Sequence, residues 1–315
     1  MSKLIIPEPE EILNNLMVIQ SEKKKLLVAM QVFLVKTARD KPVTTYKTYC
    51  SKMKVYQSFI EGFDLSGNTR EDLKAFKSHL RDKYSSANTI NLTLSVVRQL
   101  YRNLYEVGAL PTDFSYAIKN VTADDEVLKS SISREQFYKI LEVLRYGYRL
   151  NKERDIALFI LLTMNGLRVS EASNACIEDI GMNAGKRVLY LKRKGHIGKN
   201  KFVVLQEKTF ELLEHLAGGR KSGAIFRSSR TWDAMTGGDL SRVIKTIFRR
   251  AGIDDPKVTA HSLRHSYAIF ALEGGADLLS VSLSMNHKNL STTQRYLKSF
   301  NRLRNSAEDA VNLDF

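Results

Sequence analysis

The sequence predicts a mainly α-helical protein with a small antiparallel β-sheet, divided into two domains. Its 315 residues are too many for one ordinary core. Apolar residues recur with helical spacing over most of the chain, whereas two short segments within residues 187–205 are rich in β-branched and aromatic residues. The hydrophobic content of 43% is ample for packed cores, which excludes a disordered chain.

The first domain is expected to be a helical bundle over residues 1–110. Apolar and charged positions alternate with helical spacing over residues 9–37, and the next helix is expected from Lys41 to about Phe59. Thr69 with Asp72 three positions later predicts the capped start of a third helix. A fourth amphipathic segment covers residues 86–105.

Residues 111–131 lose the helical periodicity and are expected to form a linker. The second domain then covers residues 132–315. Ser133 and Gln136 form a capping box that predicts a helix start. Residues 155–164 are almost entirely apolar, so this helix is expected at the centre of the second core.

A β-hairpin is expected from strands 187–191 and 201–205, joined by a long basic turn. No acidic residue occurs between Gly181 and Gln206. Further helices are expected near residues 207–217, 238–251, 262–274 and 277–285. A second capping box at 291–294 predicts a short helix that carries Tyr296.

The charge of the chain points to a polyanionic partner. The formal net charge is +15 and the isoelectric point about 9.6, and both the first 120 residues and the remainder are basic. Nucleic acid is the expected partner, the alternative being a basic but otherwise ordinary soluble enzyme.

The chain is expected to be cytoplasmic and not to enter a membrane. Cys50 and Cys176 are the only cysteines, which fits a reducing compartment. The first residues show no signal-peptide pattern. The longest uncharged apolar stretch, residues 156–167, is shorter than the ~18 residues that a spanning helix needs.

No metal site or cofactor is expected. Among the six histidines only His261 and His265 have a spacing that chelates from one helix. The intervening residues include no glutamate, and Arg264 would repel a cation.

Two arginines and a histidine are candidates for binding a phosphate. Arg168 follows a Gly-Leu step between two helices, where its guanidinium could bond two phosphate oxygens; the alternative is a structural salt bridge to Glu171. His261 and Arg264 lie one helical turn apart and can project to one face. For an isolated His-x-x-Arg pair, a structural role is the common alternative.

Three further residues could complete a metal-free attack on a phosphodiester. His287 lies in an expected loop, where it could donate to a phosphate oxygen or simply face solvent. Tyr296, one of 13 tyrosines, would need nearby cations to favour its phenolate. Lys194, in the basic turn, could protonate a departing 5′ oxygen, although a solvated loop is the alternative.

The order and spacing of these elements resemble the tyrosine recombinase (phage integrase) family, of the Xer or mobile-element type. The resemblance covers roughly residues 130–300 and, more loosely, 42–108. It implies a two-domain DNA clamp, with a helical core-binding domain and a mixed α/β catalytic domain. The residues that match the family's activating groups are Arg168, Lys194, His261, Arg264 and His287, and Tyr296 matches its nucleophile.

The resemblance also implies a mechanism and partners. The tyrosine would form a 3′-phosphotyrosyl link to double-stranded DNA at a specific recombination site. Two rounds of exchange would pass through a Holliday junction in a homotetramer, without metal or ATP. A type IB topoisomerase-like enzyme and a DNA-binding accessory protein that does not cut are the alternatives.

The sequence departs from the family pattern at two positions. Asn286 stands where glycine usually precedes the histidine, and Ser262 stands where aspartate is common. The tail ends in an apolar group, Ala310, Val311, Leu313 and Phe315. Because little of its own domain remains to cover that group, we expect it to dock on a neighbouring subunit, the alternative being a frayed terminus.

Overall fold

A computed structural model of the chain describes residues 22–66, 69–122, 130–147, 150–191 and 201–285. Its backbone divides into two compact units, residues 1–126 and 127–315. Within the described ranges no helix is both long and apolar enough to cross a bilayer. The expected mainly helical architecture with one small antiparallel sheet is confirmed.

Among its described residues, the first unit contains four long helices where the sequence predicts them. These are α1 (Glu22–Asp40), α2 (Val43–Gly62), α3 (Thr69–Lys83) and α4 (Ala87–Glu106). Ser86 begins α4 by accepting a hydrogen bond from the amide of Thr89 at 3.4 Å. The sequence predicts that Asp72 pairs with Thr69, but the described contacts of Asp72 are with Ser66. Its carboxylate accepts hydrogen bonds from the amide and the hydroxyl of Ser66, at 2.9 and 2.8 Å.

An aromatic cluster forms the centre of this first core. Tyr56 and Phe76 are buried, with ring centroids 4.6 Å apart. The hydroxyls of Tyr56 and Tyr101 share a hydrogen bond of 2.8 Å, which satisfies both polar groups away from water. Burial raises the pKa of Tyr101 to about 12, so this pair stays neutral under ordinary conditions.

The segment that follows α4 packs against it, although the sequence places these residues in the linker. The side-chain amide of Asn91 exchanges two hydrogen bonds with the backbone of Val121, at 2.8 and 2.7 Å. Arg98 donates to the carbonyl of Ile118 at 2.6 Å. The segment forms only one short 3-10 helix, Phe114–Ala117, and the backbone after it is satisfied by side chains of α4.

The second unit contains seven further α-helices among its described residues, besides a short 3-10 helix, Ile177–Asp179. These are α5 (Arg134–Tyr146), α6 (Lys152–Met164), α7 (Val169–Ser173), α8 (Glu207–Ala217), α9 (Gly237–Arg250), α10 (Ala260–Glu273) and α11 (Leu278–Ser284). The capping box predicted at the start of α5 is confirmed, with reciprocal hydrogen bonds between Ser133 and Gln136 of 2.9 and 3.1 Å. The apolar helix α6 is central as predicted, since most of its residues are buried.

The sheet has three antiparallel strands in the order β1 (Ile180–Asn183), β2 (Lys186–Leu191) and β3 (Lys201–Val204). The predicted hairpin is β2 and β3, in which Leu191 pairs with Lys201. Strand β1 was not predicted, because its four residues Ile-Gly-Met-Asn lack a β-branched run. A two-residue turn at Ala184 and Gly185, both at positive φ, joins it to β2.

Candidate active site

Arg168 lies at the N-terminus of α7 and is fixed by Glu171, one turn later. Its backbone amide donates to one carboxylate oxygen of Glu171 at 2.8 Å, and its Nη1 donates to the other at 2.7 Å. Glu171 is buried, whereas the Arg168 side chain remains 37% exposed. The salt bridge that would make Arg168 structural is therefore present, yet it leaves more than a third of the side chain accessible.

Arg264 reaches the same carboxylate from the opposite direction. Its Nη1 lies 3.6 Å from Oε2 of Glu171, although the two residues are 93 positions apart in the sequence. Glu171 thus joins the guanidinium groups of Arg168 and Arg264 into one cluster. With one carboxylate between two cations, the cluster keeps an excess positive charge, which suits an anionic group such as a phosphate.

Two backbone carbonyls hold the buried guanidinium of Arg264. Its Nη1 donates to the carbonyl of Gly166, and its Nη2 donates to the carbonyl of Met285. Only 2% of Arg264 is exposed. The arginine therefore connects the loop before Arg168 to the end of α11, and these bonds compensate for taking its charge out of water.

Gly166 can hold that carbonyl in place because it is a glycine. Its φ of +65° is a conformation that residues with a Cβ rarely adopt. A Cβ at this position would lie 2.4 Å from the ring of Tyr267, which leaves no room for a side chain. The Gly-Leu step before Arg168 is thus a requirement of the local geometry.

Asn165 connects the same loop to the sheet. Its Nδ2 donates to the carbonyl of Val204, the last residue of β3, at 2.8 Å. The residue is 5% exposed, and its Oδ1 is buried without a hydrogen-bond partner among the described residues. One side chain therefore links the arginine-bearing loop to the strand that follows the basic turn.

The N-terminal turn of α10 carries His261 and Arg264, as the spacing predicts. The amide of Thr259 donates to the hydroxyl of Ser262 at 2.9 Å. Ser262 therefore takes the capping role of an acidic residue at this position, which gives a physical account of the departure from the family pattern. His261 is exposed and His265 is buried, and their rings meet edge to face with centroids 4.5 Å apart.

The chain entering the second unit is fastened to α10 beside this turn. The amide of Ile132 donates to the hydroxyl of Ser266 at 2.8 Å, and that hydroxyl donates to the carbonyl of Ser262 at 3.0 Å. Both Ile132 and Ser266 are buried. Sequence reasoning missed Ser266, because nothing in its local pattern distinguishes it from other helical serines.

Several predicted site residues lie outside the described residues, so their positions are not part of this geometry. They are Lys194, His287, Tyr296, the second capping box at 291–294 and the C-terminal tail. Of the six candidates, the structure brings Arg168 and Arg264 together and places His261 one turn from Arg264. Within the described ranges, no cluster of three or more His, Cys, Asp or Glu side chains could hold a metal ion.

Two protein-family models match this chain, and one of them includes the region of the candidate site. The family model described as "Phage integrase family" matches residues 130–302. A second model, "Phage integrase, N-terminal SAM-like domain", matches residues 29–107. The first match covers more than half of the chain and contains all six candidate residues.

Curated proteins and solved structures give concordant matches. The chain is 29% identical to tyrosine recombinase XerA of Pyrococcus furiosus over 84% of its own length and 91% of that protein. It is 30% identical to tyrosine recombinase XerD of Yersinia pestis, over 74% and 78% of the two chains. Its fold is similar to that of the XerH site-specific recombinase in a post-cleavage complex with palindromic difH, with a TM-score of 0.72 and 21% identity. The match covers 96% of this chain and 88% of the XerH chain. It is also similar to the fold of lambda integrase in a tetramer bound to a Holliday junction, with a TM-score of 0.67 and 18% identity. This match covers 86% of this chain and 76% of the lambda integrase chain.

Proposed function

The chain belongs to the phage integrase family, and we propose on that basis that it is a site-specific recombinase that cuts and rejoins double-stranded DNA. The observation that carries the proposal is the cluster in which Arg168 and Arg264 share the buried carboxylate of Glu171. Two guanidinium groups held at one point suit a single backbone phosphate, whose non-bridging oxygens they would bind. The same groups would stabilise the extra charge of the five-coordinate transition state.

In the proposed reaction, the hydroxyl oxygen of Tyr296 attacks the scissile phosphorus. The bond from phosphorus to the 5′ oxygen breaks, leaving a 3′-phosphotyrosyl link and a 5′ hydroxyl. Lys194 supplies the proton to the departing oxygen, His261 accepts the phenolic proton, and His287 donates a hydrogen bond to a non-bridging oxygen. Attack by a 5′ hydroxyl of a partner strand reverses these steps, so the energy of the phosphodiester is retained.

We further propose that the reaction takes place in a homotetramer and passes through a Holliday junction. The lambda integrase tetramer on such a junction, with its similar fold, supports this assembly. In the proposal, the apolar end of the C-terminal tail, from Ala310 to Phe315, docks on a neighbouring subunit. A topoisomerase-like enzyme would need no such contact, since it nicks and reseals one duplex.

The decisive experiment is to trap the covalent intermediate. Covalent protein–DNA adducts are first recovered from producing cells and sequenced to locate the cleaved site. The purified chain is then incubated with a nicked duplex of that site, from which the fragment bearing the 5′ hydroxyl is lost. We expect an adduct that survives denaturation and that Tyr296→Phe abolishes, because phenylalanine has no nucleophilic oxygen.

Tyr146→Phe is the matched control. The substitution removes the same hydroxyl oxygen from a tyrosine that is 83% exposed and far along the chain from the motif. It should form adduct as the parent does. An adduct that persists in Tyr296→Phe would refute the assigned nucleophile, and no adduct with any variant would favour the accessory protein that does not cut. Products that join two different duplexes distinguish recombination from topoisomerase-like relaxation.

DNA binding is expected to weaken steeply with salt. The net charge of +15 implies that several phosphates are neutralised on binding. The logarithm of the binding constant should then fall by roughly 0.9 per neutralised phosphate for each decade of salt. Fluorescence anisotropy of a labelled duplex over a salt series measures this slope, and a slope near zero would contradict the proposed DNA clamp.

A further inference from the structure

The turn before α9 is held rigidly by its own backbone. The amide of Met235 donates to the carbonyl of Phe226 at 3.0 Å, and both side chains are buried. Further along, the amide of Ser228 donates to the carbonyl of Asp233, and the amide of Trp232 donates to the carbonyl of Ser228, both at 2.9 Å. We call residues 228–233 the tryptophan turn.

Trp232 is in an unfavourable conformation at the tip of this turn. Its φ is +60°, which is rare for a residue with a bulky side chain, and glycine would adopt it without strain. The side chain is also 71% exposed, so folding recovers little of the cost of hydrating the indole. A strained and exposed aromatic residue on a rigid support indicates a contact with a partner.

The tryptophan turn leads into α9, which begins against α7, the helix that follows Arg168. A Cβ on Gly237, in the first turn of α9, would lie 3.8 Å from Val169, the residue after Arg168. Four residues lie between Trp232 and Gly237, so the five steps from one Cα to the other span at most roughly 18 Å even when extended. At about 3.4 Å per base pair, this upper limit equals about five base pairs, so a duplex bound at Arg168 is long enough to reach the tryptophan turn.

We propose that Trp232 contacts the DNA substrate near the scissile phosphate, with its indole ring packed against sugar and base surfaces. This inference rests on the proposed function and adds a contact that the cleavage chemistry does not require. The exposed Arg230 and Asp233 carry opposite charges on the same turn. The ring, rather than net charge, therefore supplies the attraction, and its contribution is nearly independent of salt.

The chain itself provides the probe, because Trp232 is its only tryptophan. The intact protein is titrated with a short duplex of mixed sequence, and the intrinsic fluorescence and its quenching by acrylamide are followed. We expect the emission to change and the acrylamide quenching to fall as DNA saturates. If the indole stays equally accessible while a labelled duplex shows saturation, or if it becomes shielded only as protein concentration rises without DNA, the inference is overturned.

Trp232→Gly tests the energetic contribution without threatening the fold. Glycine adopts positive φ without steric strain, so the melting temperature of the variant should not fall below that of the parent. We expect the Kd for the duplex to rise about fivefold or more, in the range measured for aromatic–nucleotide contacts, with an unchanged salt slope. Trp232→Phe should recover part of this loss, because it restores an apolar ring.

The same variants separate this inference from the proposed function. Trp232→Gly should still form the Tyr296 adduct at saturating DNA, because Trp232 is not among the reacting groups. An unchanged Kd in Trp232→Gly, together with a normal adduct, would overturn the inference and leave the recombinase intact. Failure of the parent chain to form the adduct would instead refute the proposed function.

Discussion

Arg168→Lys is expected to lower the rate of phosphotyrosyl formation by about 100-fold or more while the chain remains folded. Lysine keeps the charge but cannot bond two phosphate oxygens at once. Because the Arg168 side chain is 37% exposed, its ion pair with Glu171 should contribute only about 1 kcal/mol or less to stability. Single-turnover cleavage of the mapped site measures the rate, and urea unfolding measures the stability.

Arg264→Ala should abolish cleavage as well, but with a different effect on stability. Arg264 is 2% exposed, and its loss leaves the buried Glu171 and two carbonyls without this donor. We therefore expect a loss of about 3–5 kcal/mol in the free energy of unfolding. Arg134→Lys is the control, because Arg134 forms an ion pair of 2.8 Å with Glu273 outside the cluster. Equal destabilisation by the Arg168 and Arg264 variants would contradict the assigned geometry.

Gly166→Ala is expected to destabilise the second unit and to slow cleavage. Alanine at a φ of +65° is strained by about 1 kcal/mol, and its Cβ would collide with the ring of Tyr267, adding about 1–3 kcal/mol. Relief of that collision would move the Gly166 carbonyl away from Arg264, which would then lose an anchor. Thermal unfolding and single-turnover cleavage measure the two effects.

Gly108→Ala is the matched control for this substitution. Gly108 has a similar φ of +72°, but a Cβ there would meet no atom within 4 Å. It should therefore carry only the backbone strain and leave cleavage unchanged. If the two glycine variants were equally stable and equally active, packing of Tyr267 on Gly166 would have no part in positioning Arg264.

Local sequence patterns were sufficient for most elements of the fold. Helix α4 and the Ser133–Gln136 box were predictable, because each depends on residues three or four positions apart. Strand β1 was not predictable in this way, since it is a strand mainly by virtue of pairing with β2. The packing of Ile118 and Val121 on α4 depends on Arg98 and Asn91, which are 20 and 30 residues distant.

The same distinction applies to the candidate site. The spacing of His261 and Arg264 on one helix, and of Arg168 and Glu171 on another, is visible in the sequence. The meeting of the two arginines at Glu171 is a contact across 93 positions, which motif order suggested only through the resemblance. Nothing local indicates that the carbonyls of Gly166 and Met285 hold Arg264, because a backbone acceptor has no residue type to recognise.

In the proposed mechanism, the anchoring of Arg264 by those two carbonyls helps to lower the barrier to cleavage. A guanidinium already oriented by buried acceptors does not have to rearrange when charge develops on a bound phosphate, whereas water dipoles would have to. In the proposed mechanism, the free-energy cost of orienting this guanidinium therefore arises during folding and not in each reaction cycle. In the proposed mechanism, folding stability and catalytic preorganisation are thus coupled through one side chain, and selection on either property acts on both.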